Sequence, residues 1–174
     1  MNDDVIVSKY LNHIKYKNHL LEFIEKDDGV PYDDKNDIIF KTDYFNKKFF
    51  IDEDTDNIFK DEFTNHLKKV FKDFYYEKIN VQQLWYQVYD TNNIHNWHTH
   101  SDCHFTNVYI LKGNTKTEIR NLKGDIVNYE IKEGDIITFP SYLYHRSPFH
   151  NSNDKRVIIS FNGVFEWELL IIGK

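Results

Sequence analysis

From residue 79 onward the chain changes to a period of two. Val81–Tyr89, Phe105–Leu111, Thr115–Arg120, Ile126–Ile131, Ile136–Phe139 and Arg156–Phe161 are short runs rich in β-branched and aromatic residues. Between them stand Lys112-Gly113-Asn114, Lys123-Gly124-Asp125 and Glu133-Gly134-Asp135, which have the composition of hairpin turns. Short strands at this spacing, with few helices among them, must pair back on one another and bury one face. They close as a sandwich or double-sheet jelly roll. The expected class is therefore mainly β with flanking helices, a jelly roll of the double-stranded β-helix kind. Residues 90–96 read as a loop.

The first part of the chain reads differently. Ile58, Phe59, Phe63, Leu67, Val70, Phe71 and Phe74 recur at spacings of three and four, which predicts a helix over residues 56–74 with Asp56 as N-cap. Asn18 could cap a shorter helix carrying Leu20, Leu21, Phe23 and Ile24, and Asp27–Pro31 reads as a turn. Ile38–Phe40 and Phe49–Ile51 are candidate strands, and Leu169–Ile172 reads as a strand or packed tail. The chain is expected to be one domain over 1–174, with 1–78 as mainly helical cover and 79–168 as the β core.

Composition narrows the partners. A net charge of −6 and a pI near 5.8 count against a broad nucleic-acid surface. No apolar run approaches the roughly 20 residues needed to span a bilayer. The single cysteine, Cys103, forbids an internal disulfide and suits a reducing compartment. A cytoplasmic protein is the expectation. Its substrate is expected to be a small molecule or a peptide.

Chemistry concentrates in one region. Six of the nine histidines fall between 95 and 150: His95, His98, His100, His104, His145 and His150. Within Trp97–Asp102, an extended backbone would turn His98, His100 and Asp102 to one face. In a double-stranded β-helix the strands carrying His98–His100 and His145 lie close, so the rings can meet at the mouth. Three ligands on one face with the opposite positions open suit Fe(II), which must also bind a co-substrate and O2. Arg156 follows His145 by eleven residues. An arginine inside a barrel mouth is costly unless it meets an anion, and a guanidinium grips a carboxylate with two parallel hydrogen bonds. Metal and arginine together suggest a dicarboxylate.

These pieces, in this order, resemble the 2-oxoglutarate and Fe(II)-dependent dioxygenases, in particular the small oxygenases of phages and marine bacteria. The resemblance runs over about residues 80–165: Leu84–Tyr86, His98-Thr99-His100, Phe105–Leu111, Gly134–Ser141 leading to His145, and Arg156–Asn162. It implies His145 as the distal iron ligand and Arg156 as the grip on 2-oxoglutarate; Tyr86, Asn107, Tyr109 and Ser160 could line the co-substrate pocket, although strand aromatics more often belong to the core. It also implies decarboxylation of 2-oxoglutarate to succinate, coupled to hydroxylation of a C–H bond. The proximal ligands are open between two frames. His98 and His100 would give an all-histidine site; His100 and Asp102 would give the superfamily's usual carboxylate.

Two other readings share much of this pattern. A cupin-type three-histidine metalloenzyme would need no 2-oxoglutarate, although His104 stands where a cupin usually has Glu. A non-enzymatic β-sandwich binding module would keep the barrel without the metal. His66 reads as a surface or boundary residue, Cys103 as inert, and Asp52–Asp56 as a solvated acidic loop.

Overall fold

Two antiparallel sheets and two helices make three layers in a computed structural model, which describes residues 5–45, 53–74 and 76–166, with backbone only for 53–57. The strands are β1 (Ile6–Lys9), β2 (Val30–Asp34), β3 (Asp37–Thr42), β4 (Lys78–Tyr89), β5 (His95–His98), β6 (Phe105–Lys112), β7 (Thr115–Arg120), β8 (Ile126–Ile131), β9 (Asp135–Pro140), β10 (His145–Ser147) and β11 (Arg156–Glu166). The helices are α1 (His13–Lys26) and α2 (Glu53–Val70). The larger sheet runs β1-β9-β6-β11-β4-β3-β2 and the smaller β5-β10-β7-β8. Together they are a double-stranded β-helix.

The three central strands explain where everything else goes. β11 pairs with β4 on one side and β6 on the other. In that register Val157, Ile159 and Phe161 lie across from Val88, Tyr86 and Leu84. All six belong to the cluster that packs against the helices through Leu20, Ile24, Phe59, Phe63, Leu67 and Phe71. Phe63 stacks on Phe161 at 4.5 Å between ring centroids. On the opposite face, Tyr89, Val108, Ile110 and Ile158 pack with Ile119 and Ile131 of the smaller sheet. Both faces of the central strands are thus buried, and sheet and helices form consecutive layers.

Several elements differ from the sequence reading. α2 begins at Glu53, so Asp56 lies inside it rather than capping it. α2 also ends at Val70, and Phe74 and Ile58 are exposed. α1 starts five residues before Asn18, at His13. Asn12 precedes it without capping it, because its amide donates to Glu62 Oε2 at 2.6 Å. The turn expected at Asp27–Pro31 passes into β2, where Pro31 is tolerated because β2 is the sheet edge. The loop expected over 90–96 already contains the start of β5, and β10 has only three residues. The first 78 residues supply three strands of the larger sheet besides the helices. The runs Phe49–Ile51 and Leu169–Ile172, and Asp52, lie outside the described residues. No described helix is long and apolar enough to cross a membrane.

His66 is not a surface residue. It is 7% exposed on α2, with Nε2 2.9 Å from Ser8 Oγ of β1. Burial, and secondarily the Lys69 charge, lower its pKa to about 4. A histidine whose folded pKa lies below its unfolded value of roughly 6.5 supports the fold above pH 6.5, and that support is lost as pH falls toward 4. His66→Gln should therefore blunt acid sensitivity. Urea midpoints at pH 7, 5.5 and 4 should show the parent losing up to about 3 kcal/mol more than the variant over that interval.

Candidate metal and co-substrate site

The register of the smaller sheet brings the histidines together. β10 pairs with β5 so that His145 lies across from His98. β5 stops at His98, and the chain leaves the strand through Thr99 and His100, whose N–H is held by the Ser141 carbonyl at 3.1 Å. The ligand-capable atoms of His98, His100 and His145 all lie within 4.8 Å of one another. Ring centroids are 4.2 Å apart for His98–His145, 5.1 Å for His100–His145 and 5.3 Å for His98–His100.

Each ring is fixed by a hydrogen bond from Nδ1. His98 bonds the Asn96 carbonyl at 2.7 Å, His100 bonds Asn162 Oδ1 at 2.7 Å, and His145 bonds the Leu143 carbonyl at 3.0 Å. All three partners are oxygen acceptors, so Nδ1 carries the proton in each ring and Nε2 keeps its lone pair. This is the arrangement that orients an imidazole for metal binding. Burial lowers the pKa of all three: His98 moderately, His100 to about 4, and His145, which is 4% exposed, well below its ordinary value. Neutral rings with converging lone pairs fit a divalent transition metal.

Asp102 does not share this cluster. The extended backbone expected through Asp102 breaks after His98, and Asp102 takes a left-handed φ of 59°. Its exposed side chain lines an outer cleft instead. His95 stands beside the cluster: its ring stacks on His98 at 3.9 Å and its Nδ1 lies 3.3 Å from Gln87 Nε2. Burial first, then the neighbouring rings, hold its pKa well below the ordinary range. His104 and His150 are elsewhere; His104 Nδ1 accepts the Phe165 N–H, and His150 Nε2 donates to the Asp154 carbonyl. Burial pushes the half-buried Cys103 thiol up.

Arg156 is 3% exposed and lines the same inner cavity as the three rings. Its two terminal nitrogens donate to Thr115 Oγ1 and Ser147 Oγ, and the guanidinium lies 4.0 Å from the centroid of the Tyr89 ring directly across the ladder. No described carboxylate pairs with it. Burial lowers its pKa, an effect opposed by Tyr89. Three buried side-chain polar atoms of the described residues meet no hydrogen-bond partner: Arg156 Nε, Tyr89 Oη and Thr106 Oγ1. All three residues line this one cavity. Unpaired buried polar groups cost roughly 1–3 kcal/mol each, so their concentration marks a place shaped for a polar ligand.

Strand parity sorts the other candidates. Ser160 shares the face of Arg156 and lines the cavity. Tyr109 and Asn107 do not. They pair with Ile159 and Phe161 on the helical face. There the Tyr109 hydroxyl meets His13 Nδ1 at 2.6 Å, and Asn107 bonds the Phe161 carbonyl and Thr138. Thr106 and Val108 occupy the cavity face of β6 in their place. Sequence reasoning also missed Tyr89, Gln87, Thr115, Ser147 and Asn162. The signal for Asn162 was available: positions 156, 158, 160 and 162 share one face of β11.

Residues 111–162 match the family described as "Putative 2OG-Fe(II) oxygenase". The fold is similar to the viral collagen prolyl hydroxylase of Paramecium bursaria Chlorella virus-1, solved as a 2-oxoglutarate complex (TM-score 0.65, 15% identity, 93% of this chain and 96% of that one). It is similar to HygX of Streptomyces hygroscopicus, solved with nickel and 2-oxoglutarate (TM-score 0.66, 8% identity, 92% and 82%). A 2OG-Fe(II) oxygenase family oxidoreductase from Burkholderia pseudomallei is also similar (TM-score 0.56, 13% identity, 64% of this chain); there the chain spans 57% of the relative's length. A search of curated protein sequences gives no match.

Replacing His98, His100 or His145 with Ala should lower Ni(II) or Zn(II) affinity, read by calorimetry, by on the order of a hundredfold or more. Asn162→Ala, which frees only the His100 ring, should cost about tenfold.

Proposed function

Because residues 111–162 carry the 2-oxoglutarate/Fe(II) oxygenase pattern and the chain has the fold of solved members, we propose that this protein is an Fe(II)- and 2-oxoglutarate-dependent dioxygenase that hydroxylates a small-molecule or peptide substrate. His98, His100 and His145 hold the metal. The observation that carries the reading is the buried guanidinium of Arg156, unpaired by any described carboxylate and sharing a cavity with the three rings. A dicarboxylate would answer both needs at once: Arg156, Thr115 and Ser147 would hold one carboxylate, and the imidazoles would hold the metal that the other end chelates.

When bound, iron and co-substrate supply an oxidation in which R–H, O2 and 2-oxoglutarate give R–OH, succinate and CO2, one oxygen atom entering each of R–OH and succinate. The chain's own residues prepare this. Three neutral imidazoles leave the charge of a divalent cation uncompensated, and the dianion of 2-oxoglutarate supplies what a ligand carboxylate would have given. Asn162, Asn96 and Leu143 hold the rings in one tautomer. Val108 and Ile158 wall the cavity with hydrocarbon, which strengthens the guanidinium–carboxylate pair. A reducing cytoplasm suits both Fe(II) and the Cys103 thiol.

A three-histidine metalloenzyme without 2-oxoglutarate would use the same rings but gives Arg156 no partner. A binding module without metal gives no reason for three Nε2 atoms to converge. In anaerobic titrations of Ni(II)-loaded protein, Arg156→Ala should weaken 2-oxoglutarate by on the order of a hundredfold while metal affinity is kept, with Arg156→Lys in between. The Fe(II) protein with ascorbate should release succinate slowly without added substrate. Equal 2-oxoglutarate affinity in parent and Arg156→Ala would overturn the reading.

A further inference from the structure

The three rings stand at the boundary of two compartments of opposite character. The inner one contains Arg156. The outer one, of about 380 Å³, opens over His98 and His100, and no Lys or Arg is among its described lining residues. It has two carboxylates, Asp37 and Asp102, and an aromatic wall. The wall is continuous. Tyr32 contacts Phe45, Phe45 contacts Tyr44 and Tyr44 contacts Trp85, each at 5.3 Å between centroids, and Trp85 reaches the His100 ring at 5.6 Å. Phe45 is 56% exposed, so this file of rings begins at the solvent and ends on the metal-binding cluster.

We propose that the outer cleft takes a primary substrate bearing a cationic nitrogen, an amine or guanidinium on a short hydrocarbon arm, with the charge on the aromatic–aspartate wall and the arm directed toward the histidines. The inference rests on the oxygenase reading of the same site and names its substrate class. Aromatic faces attract cations, and more strongly once water is excluded. Asp37 accepts the Asn96 N–H at 2.5 Å and lines the cleft together with Tyr32 at the rim and His98 at the cluster. Asp102 carries its carboxylate on an exposed turn at the same cleft. An anionic substrate would meet both carboxylates. A neutral one would use the rings and leave the carboxylates idle.

The test is binding to the Ni(II)- and 2-oxoglutarate-loaded protein, read by ligand-observed NMR. The probes are the Nα-acetyl methylamides of lysine, arginine, norleucine and glutamate. The cations should bind about tenfold or more tightly than norleucine, glutamate should not bind, and the preference should shrink in 0.5 M NaCl. Asp37→Asn and Asp102→Asn should each weaken the lysine probe about three- to fivefold and leave 2-oxoglutarate affinity as in the parent. Asp102→Asn suits the left-handed backbone there and carries the test by itself if Asp37→Asn fails to fold. Norleucine binding as well as lysine, or both variants binding lysine as the parent does, overturns the substrate class. Failure of 2-oxoglutarate to bind at all overturns the oxygenase reading instead, whatever the probes do.

Discussion

Every side chain on the three central strands has to go to one of two buried faces, and the ladder among β4, β11 and β6 decides which. Once Phe161 is placed against Phe63 of α2, Ser160 and Asn162 must point between the sheets, and so must their partners Trp85 and Gln83. The same choice sends Arg156 and Tyr89 inward together. The helices therefore contribute to the site without touching it: their apolar stripe occupies one face and leaves the other to polar groups. Burying an arginine this way is costly, and Tyr89, Thr115 and Ser147 only partly offset the cost. The remainder is the physical basis for expecting an anion.

Much of this was legible in the residues. The period-two runs and their glycine turns gave the sheet core, and the histidine spacing with Arg156 gave the cluster. What failed has a common cause. A strand apolar on both faces carries no sign of which face is which, so Tyr109 and Asn107 looked as suitable as Thr106 and Val108. The same ambiguity hid Tyr89 and Gln87, while Ser160 kept its place by sharing the parity of Arg156. The alternative frame through Asp102 parts from the cluster for a different reason. Alternation through His98, His100 and Asp102 assumed a strand that stops at His98. β10 is too short to leave a periodic signal, although it carries His145.

The boundary errors also follow local physics. The helix expected from Asn18 starts at His13, and the Asn12 amide that precedes it is recruited by Glu62 from the other helix. Pro31 resembles a turn residue, yet an edge strand has no need of its missing N–H. His66 resembles a surface residue on a charged helix and is instead covered by β1. For Asn12 and His66 a long-range partner overrode a local preference.

The three imidazoles do not belong to one sheet. His98 and His145 ride on the smaller one, while His100 is steered by Asn162 from the middle of the larger. A cation seated among them would rivet the two halves of the barrel together at its open end. The free energy of ion capture would then also be resistance to unfolding, growing with the logarithm of free metal concentration. Metal supply would in this way also set what fraction of the chain stays folded.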